Sequence, residues 1–526
     1  MTASDAMAGA TLSELTARTW DAVVVGGGHN GLAAAAYLAR AGHSALVLER
    51  RDQLGGACTL ERPFSDPRYV ISPCAYLVGL LHPLVIEELD LPRYGYRTFV
   101  CDPTQWTPFD DGSSWTQWRD QTRTAKEIEA LGAAPGDVDG YHAHEGLFAR
   151  IRDRLRAGGD PERDTWLGDA PDRAALEGLF ADDTEARAVL FDASIADVVE
   201  DHVKDERLRI ALHGQGIVGT LAGPRDTGTA WIHAMHSLGL IGGWSYVEGG
   251  MGRISSCLAE AAADAGAMVV AGTPVAAIEL GAGVRLEGGD LVRARAVVSN
   301  ADPIRTLALC EGDVPDAFRS RVASWRCESP VVKVNCALAR LPTFSAAAHR
   351  PDHVYRAQVE IAGGVDETQA AYEACRRGEP APAWCEVYFQ TAYDPSVAPP
   401  GAHTMSVFAQ YAPYLLADGT WDTRRDEIGD RVLDAIARFA PDVFDCALER
   451  EVLGPPDVEA RIGLTGGHIF QGECLPGQMW DRRFSPRSPA PGLYLCGAAT
   501  HPGGSVIGIN GRNAAGAVIA DLGHGA

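Results

Sequence analysis

Apolar and polar positions change period several times along this chain, and each change predicts an element. Ala22-Val-Val-Val25 is a continuous apolar run rich in β-branched side chains, as a buried parallel strand requires. A glycine cluster follows, then an alanine-rich helix from Leu32 to Ala41, stopped by Gly42. Ser44 to Glu49 reads as a second strand. From Gln105 to about Thr122 the chain is rich in Trp and Asp. From Thr124 to about Val203 apolar and charged residues alternate at helical spacing, which predicts a helical cap. Tyr246-Val-Glu-Gly-Gly-Met-Gly-Arg253 leads into a helix from Ile254 to Ala265, closed by Gly266.

Short strands are expected at 267–271 and 274–280. A hairpin should join 283–286 to 291–294 across Glu-Gly-Gly-Asp, with one more buried strand at 296–300. Strands at 330–338, 386–390 and 403–410 alternate in polarity, predicting an antiparallel sheet with one face to solvent or ligand. The chain closes with a strand from Leu493, a glycine loop and a second alanine-rich helix reaching Leu522. The alternation of strands and helices is that of an α/β protein, and no repeat of solenoid period interrupts it.

A chain of 526 residues can bury two cores, and 46% hydrophobic with 22% charged residues is ordinary for a globular protein. Its net charge of -24 repels phosphate backbones and anionic lipid, which argues against nucleic acid as a partner. Residues 1–19 lack a basic start and an apolar core, and no apolar stretch is long enough to span a bilayer, so a cytoplasmic protein with a flexible N-terminal tail at 1–19 is expected. Twelve scattered cysteines without a C-x-x-C pair predict buried free thiols, and the histidines show no H-E-x-x-H spacing, so no metal is expected.

The glycine cluster fits G-x-G-x-x-G through Gly26, Gly28 and Gly31, between strand and helix. Gly26 permits the tight turn, Gly28 lets the backbone approach a pyrophosphate, Gly31 lets helix pack on strand, and the helix N-terminus supplies N–H groups and positive dipole. Glu49, at the end of the next strand, has the spacing of the carboxylate that binds a ribose 2′-hydroxyl. Arg50 and Arg51 suit a 2′-phosphate, but Glu49 would repel it. The two arginines are therefore expected at the solvated surface, and the ligand is FAD or NAD rather than NADP. Gly55 and Gly56 again allow close approach of backbone to a ligand.

Gly26-Gly-Gly-His-Asn-Gly-Leu32, Leu48-Glu-Arg-Arg-Asp-Gln-Leu-Gly-Gly56, Glu248-Gly-Gly-Met-Gly252, Ala296-Val-Val-Ser-Asn-Ala-Asp-Pro303 and Cys496-Gly-Ala-Ala-Thr-His-Pro-Gly-Gly504 together resemble the phytoene-desaturase-like flavoproteins over nearly the whole chain. The His-Asn-Gly variant, Ser329-Pro-Val-Val-Lys-Val-Asn335 and Gly492-Leu-Tyr-Leu-Cys-Gly497 are most similar to the branch named pyridine nucleotide-disulfide oxidoreductase domain-containing protein 2. No redox dithiol and no second dinucleotide fingerprint accompany that name.

The resemblance implies non-covalent FAD in an amine-oxidase-like fold, a Rossmann-type FAD-binding domain interleaved with a substrate domain. Residues 20–100, 245–302 and 486–526 would form the first, and 101–244 with 303–485 the second. Gly26, Gly28 and Gly31, with His29 and Asn30 in the same turn, would hold the pyrophosphate. Glu49, with Arg50 beside it, would meet the adenosine ribose, and the Val275 backbone the adenine. Gly55, Gly56 and Ala57 would lie along the pyrophosphate and ribityl chain, Gly497 and Ala498 would close that side, and Gly508, Ile509 and Asn510 would bring a helix N-terminus to the pyrimidine end of the flavin.

A flavoprotein of this kind takes a hydride onto N5 while a neighbouring position loses a proton. His501, in the loop expected beside the flavin, and His468 are candidate bases with pKa values near working pH. A loop-orienting backbone hydrogen bond and a turn position are the structural alternatives. Lys333 is a third candidate, against a plain surface lysine. Trp231, Trp244, Tyr388 and Phe408 are candidate pocket walls. Ala75 to Ile86 reads either as a peripheral membrane contact or as a buried element lining the flavin site. Three readings stay open: desaturation of a carbon-carbon bond in an apolar or natural-product-like small molecule, oxidation of an amine or amide C–N bond, and a redox-neutral isomerase or flavin-bound scaffold. The electron acceptor, whether oxygen, a quinone or another carrier, is equally open.

Overall fold

The strand Trp20–Val25 runs through the centre of one sheet because every neighbour it needs is apolar on both faces. Ala45–Leu48 pairs with it in parallel on one side and Leu291–Ser299 on the other. Met268–Val270 extends the sheet beyond Ala45–Leu48, and Leu493–Leu495 adds in parallel to Leu291–Ser299. Val275–Glu279, Gly283–Leu286 and Cys310–Glu311 complete its eight strands. The computed structural model describes residues 11–237, 243–347 and 351–523.

The expected hairpin forms, but its second arm and the strand expected at 296–300 are one element. Leu291–Ser299 pairs antiparallel with Gly283–Leu286 at its start and parallel with Trp20–Val25 further on. The helix His29–Arg40 packs on this sheet through nine buried positions, among them Leu32 and Leu38, each contributing about 2 kcal/mol of burial. Helices Gly252–Asp264 and Ile509–Leu522 share its core.

A second sheet has seven strands in the order Ala447–Leu453, Val331–Leu338, His403–Gln410, Trp384–Tyr388, Gln358–Ala362, Gln105–Pro108, Ser114–Gln117. The pairs are antiparallel except for Gln358–Ala362 beside Gln105–Pro108. The solvent-or-ligand expectation for this sheet needs correcting on the solvent side, because Val331–Leu338 is buried along its whole length. Val332, Val334, Cys336 and Leu338 pack into a core that includes helix Trp421–Ala437, while Val331 and Lys333 face inward to a cavity. The Trp-rich stretch 105–117 supplies two strands to this sheet. The helical cap begins at Gln121–Ala130 and continues with Asp137–Leu155, Arg173–Leu179, Thr184–Phe191 and Ile195–His202.

The expected flexible tail is corrected in its second half. Thr11 and Glu14 form a capping box for helix Leu12–Thr16, Leu15 is buried, and its carbonyl accepts the Trp20 indole N–H at 3.0 Å. Residues 1–10 of that tail lie outside the described residues. No helix among the described residues is long and apolar enough to cross a membrane, and no cluster of His, Cys, Asp and Glu among them could hold a metal ion.

Candidate functional site

A cavity of about 450 Å³ runs from the first sheet to the second. Its first reach starts at the glycine turn. Gly26 takes φ +101°, which favours glycine, and Gly28 caps helix His29–Arg40 without a side-chain cap, so the first amides of that helix stay available to an anion. Gly31 packs so closely that a Cβ there would lie 2.3 Å from the Gly26 carbonyl oxygen. Two buried polar atoms in the turn, His29 Nε2 and Asn30 Oδ1, have no protein partner. Beyond them the wall carries Glu49, Arg50, Val275, Asn300, Ala301 and Arg305 on one side and Gly55, Gly56 and Ala57 on the other.

Glu49 is buried, and its carboxylate accepts the Gly27 amide at 2.7 Å and the Arg51 amide at 2.9 Å. Of the two arginines expected at the solvated surface, Arg50 is exposed and Arg51 half-buried, and both are engaged by the protein. Arg50 donates to the Ala460 and Arg461 carbonyls, closing a helix C-terminus, and Arg51 pairs with Glu61 at 2.7 Å. Cradle, uncapped helix, acidic strand end and orphaned polar atoms are what a dinucleotide requires, so the residues present fit FAD.

On the far side Ala498, Ser505, Val506 and Gln471 line the cavity. Gly497 lies behind, where a Cβ would come within 2.2 Å of Gln471 Oε1. Gly508, Ile509 and Asn510 also stand off the wall. Gly508 caps helix Ile509–Leu522, Ile509 is core, and the Asn510 amide donates to the Thr500 and Gly503 carbonyls, tying the closing loop to the helix.

The second reach is a chamber whose apolar wall includes Leu77, Val218, Trp244, Phe408, Ile469 and Phe470. Tyr388 also lines it, whereas Trp231 lies off the wall and packs at a tilt against Trp480. Ala75, Tyr76 and Leu77 belong to this wall, and Leu80 and Leu81 are fully buried, so the first part of the apolar segment at 75–86 lines the cavity, while Pro83, Leu84 and Ile86 are half-buried.

One transverse row of the second sheet sets the polarity of the chamber. Lys333 pairs across to Phe408, Phe408 to Glu386, and Glu386 to Glu360. Lys333 is buried rather than a surface lysine. Its Nζ donates to Ser406 Oγ at 2.8 Å and stands 3.9 Å from the centre of the Tyr76 ring, and burial pushes its pKa down to about 7. The Glu386 carboxylate accepts four hydrogen bonds from four elements: Gln215 and Gln358 amides on Oε1 at 2.6 Å each, and Tyr388 and Tyr76 hydroxyls on Oε2 at 2.6 and 3.1 Å.

Burial raises the pKa of Glu386 against those bonds. None of Tyr76, Gln215, Gln358, Glu360 or Glu386 stood out in the sequence. A usable signal was there, since Val359-Glu-Ile361 and Cys385-Glu-Val387 each put an acid between apolar strand neighbours.

The two histidines do not reach this chamber. His501 is buried with Nε2 donating to the Thr165 carbonyl at 2.7 Å, and burial pushes its pKa down to about 4. His468 is equally buried, its Nδ1 accepts the Phe470 amide at 3.2 Å, and its pKa is also pushed down to about 4. The expectation of pKa values near working pH is corrected for both, because desolvation disfavours the imidazolium. All twelve cysteines are free, ten of them buried, as expected for scattered thiols.

Residues 24–79 match the model of an NAD(P)-binding Rossmann-like domain, and residues 116–519 that of flavin containing amine oxidoreductases. The chain is 34% identical to pyridine nucleotide-disulfide oxidoreductase domain-containing protein 2 of Mus musculus, over 96% of this chain and 94% of that one. It is 24% identical to the lycopene-forming phytoene desaturase of Pantoea ananas, over 95% and 99% of the two chains. Among solved structures, a putrescine oxidase redesigned in its cofactor binding superposes with a TM-score of 0.61 at 17% identity, covering 96% of this chain and 99% of that one. The chain belongs to the flavin containing amine oxidoreductase family and is an FAD-dependent oxidoreductase.

Proposed function

We propose that this oxidoreductase desaturates a carbon-carbon bond of an apolar small molecule held in the chamber between the two sheets. The observation that carries the reading is the wall itself, apolar and aromatic over most of its surface and continuous with the dinucleotide groove. Desaturation by the phytoene desaturase relative supports it. FAD, when bound, would accept the hydride, and with it the two electrons, while the accompanying proton passes to a base of the protein.

The chain's own residues then divide the work. Gly26, Gly28, His29, Asn30, Gly31 and Glu49 bind the dinucleotide, Gly55 to Ala57 and Ala498 flank it, and Leu77, Phe408 and Phe470 keep water out of the chamber. Of the three candidate bases Lys333 is chosen, since its Nζ faces the chamber and an amine near pKa 7 takes a proton at neutral pH. His501 and His468 become positioning residues of the loops that carry them. Residues 20–100, 245–302 and 486–526 form the cofactor-holding part, with the remainder shaping the substrate site.

A second reading, oxidation of an amine C–N bond, draws support from the Glu386 carboxylate at the end of the chamber and from the putrescine oxidase likeness. Incubation of the FAD-loaded protein with a metabolite extract, followed by mass spectrometry, separates the readings. A product two hydrogens lighter with its carbon skeleton and nitrogen intact supports desaturation. Release of ammonia or an amine fragment supports the second reading, and unchanged mass with no bleaching of the flavin overturns both.

A further inference from the structure

Lysine is nearly absent from this chain: Lys126, Lys204 and Lys333 are the only three among 46 basic residues. Lys126 and Lys204 are exposed, and the third is enclosed in an aromatic chamber. Its Nζ makes one side-chain hydrogen bond, to Ser406, which leaves the amine able to turn toward the chamber. Tyr76 covers it on one side, and Val331 and Phe408 are its apolar neighbours on the wall. Glu386, one strand beyond Phe408 in the same row, supplies a counter-charge already oriented by four donors.

We propose that Lys333 is a carbonyl-binding site, whose ε-amine condenses with an apolar aldehyde lodged in the chamber to form an imine. The amine nitrogen adds to the carbonyl carbon, an N–C bond forms, the C–O bond breaks, and the oxygen leaves as water carrying both amine hydrogens. Nothing is oxidised or reduced. A chamber that excludes water favours this dehydration, and an enclosed amine with pKa about 7 is substantially neutral, hence nucleophilic, at neutral pH. Once the imine takes up a proton, Glu386 balances its charge. The inference rests on the chamber being the substrate site, as proposed above, and an aldehyde held this way occupies the amine that otherwise serves as the base of desaturation.

The test uses the wild-type holoprotein at pH 7 with decanal and sodium cyanoborohydride, which traps an imine as a secondary amine, read by peptide mass spectrometry. Lys333 is expected to label about tenfold faster than Lys126 or Lys204, as its lowered pKa implies. Excess decane, which fills the chamber without reacting, should slow labelling at Lys333 and leave the two exposed lysines unchanged. Glyoxylate, a charged aldehyde, should reverse the preference. Labelling of Lys333 no faster than of the other two, or unaffected by decane, overturns the proposal. Neither result bears on the mass of the oxidation product, so failure here is distinct from failure of the desaturation reading. Lys333→Arg should abolish the label on that peptide alone, and the wild-type protection experiment decides the matter should that variant not fold.

Discussion

Glu360 and Glu386 face each other across neighbouring strands, directly paired in the antiparallel register of Gln358–Ala362 with Trp384–Tyr388. Two carboxylates so placed in a buried site cannot both stay ionised at neutral pH. Glu386 has four donors, whereas neither Glu360 oxygen is hydrogen-bonded. The pair therefore divides its roles: Glu386, with its four donors, is the carboxylate placed to hold charge, and Glu360 holds a proton, its pKa pushed well up by burial and then by Glu386.

Glu360→Gln should stabilise the protein increasingly as pH rises. A carboxyl whose folded pKa lies above its unfolded value of 4.5 contributes fully below that value and loses stability as pH climbs toward the folded pKa. Gln has no such loss, so the gap between variant and wild type should widen by up to about 1.4 kcal/mol per pH unit above the unfolded value. Thermal unfolding at pH 5.5 and 8 measures it, and a gap that does not change with pH would show Glu360 ionised in the fold.

Lys333→Met should remove a rising limb in the pH profile of flavin reduction. With the amine near pKa 7, the wild-type rate climbs through neutrality as the base becomes free, and the variant should lose that limb along with about a hundredfold in rate. Anaerobic stopped-flow spectroscopy with the substrate identified by mass spectrometry is the measurement. An unchanged profile would return the base to another group.

Gly31→Ala and Gly516→Ala should move stability in opposite directions. At Gly31 the new methyl meets the Gly26 carbonyl oxygen, a backbone atom, at 2.3 Å. The expected cost is about 1–3 kcal/mol together with weaker retention of FAD, read from flavin absorbance after gel filtration. Gly516 lies exposed in helix Ile509–Leu522 with nothing within 4 Å of an added Cβ, so alanine there should stabilise by roughly 1 kcal/mol.

His501→Gln should cost stability rather than chemistry. The ring joins the closing loop to the Thr165 carbonyl, and a weakened or lost bond at that buried site costs about 1–2 kcal/mol. Flavin reduction at saturating substrate should stay within about twofold of wild type, the mark of a residue that makes no transition-state interaction. A drop as large as that expected for Lys333→Met would make His501 catalytic.

The dinucleotide turn was legible in the sequence because everything it needs is local: a strand, three glycines and a helix within Trp20 to Arg40, then Glu49 at the next strand end. The paired strands Gln105–Pro108 and Ser114–Gln117 were not, since Gln105 finds its place by pairing with Gln358, far along the chain. The same distance hid the polar row. Lys333, Phe408, Glu386 and Glu360 each sit on a different strand, and only the register brings them into line. His501 misled for the opposite reason: its glycine-flanked loop is near the cavity, while the ring itself turns to Thr165.

The cavity that joins the glycine turn to the second sheet makes FAD a mechanical link as well as a reagent. A dinucleotide laid along it, as proposed above, would lie against Gly28 and Glu49, with side chains of the second sheet further along the same cavity. Holding the two sheets together thus becomes a property of the cofactor pool: each tenfold rise in free FAD above its dissociation constant adds about 1.4 kcal/mol to the folded state. Cells short of flavin would hold less of this protein without any change in its synthesis, because chains lacking FAD open more often and meet proteases sooner.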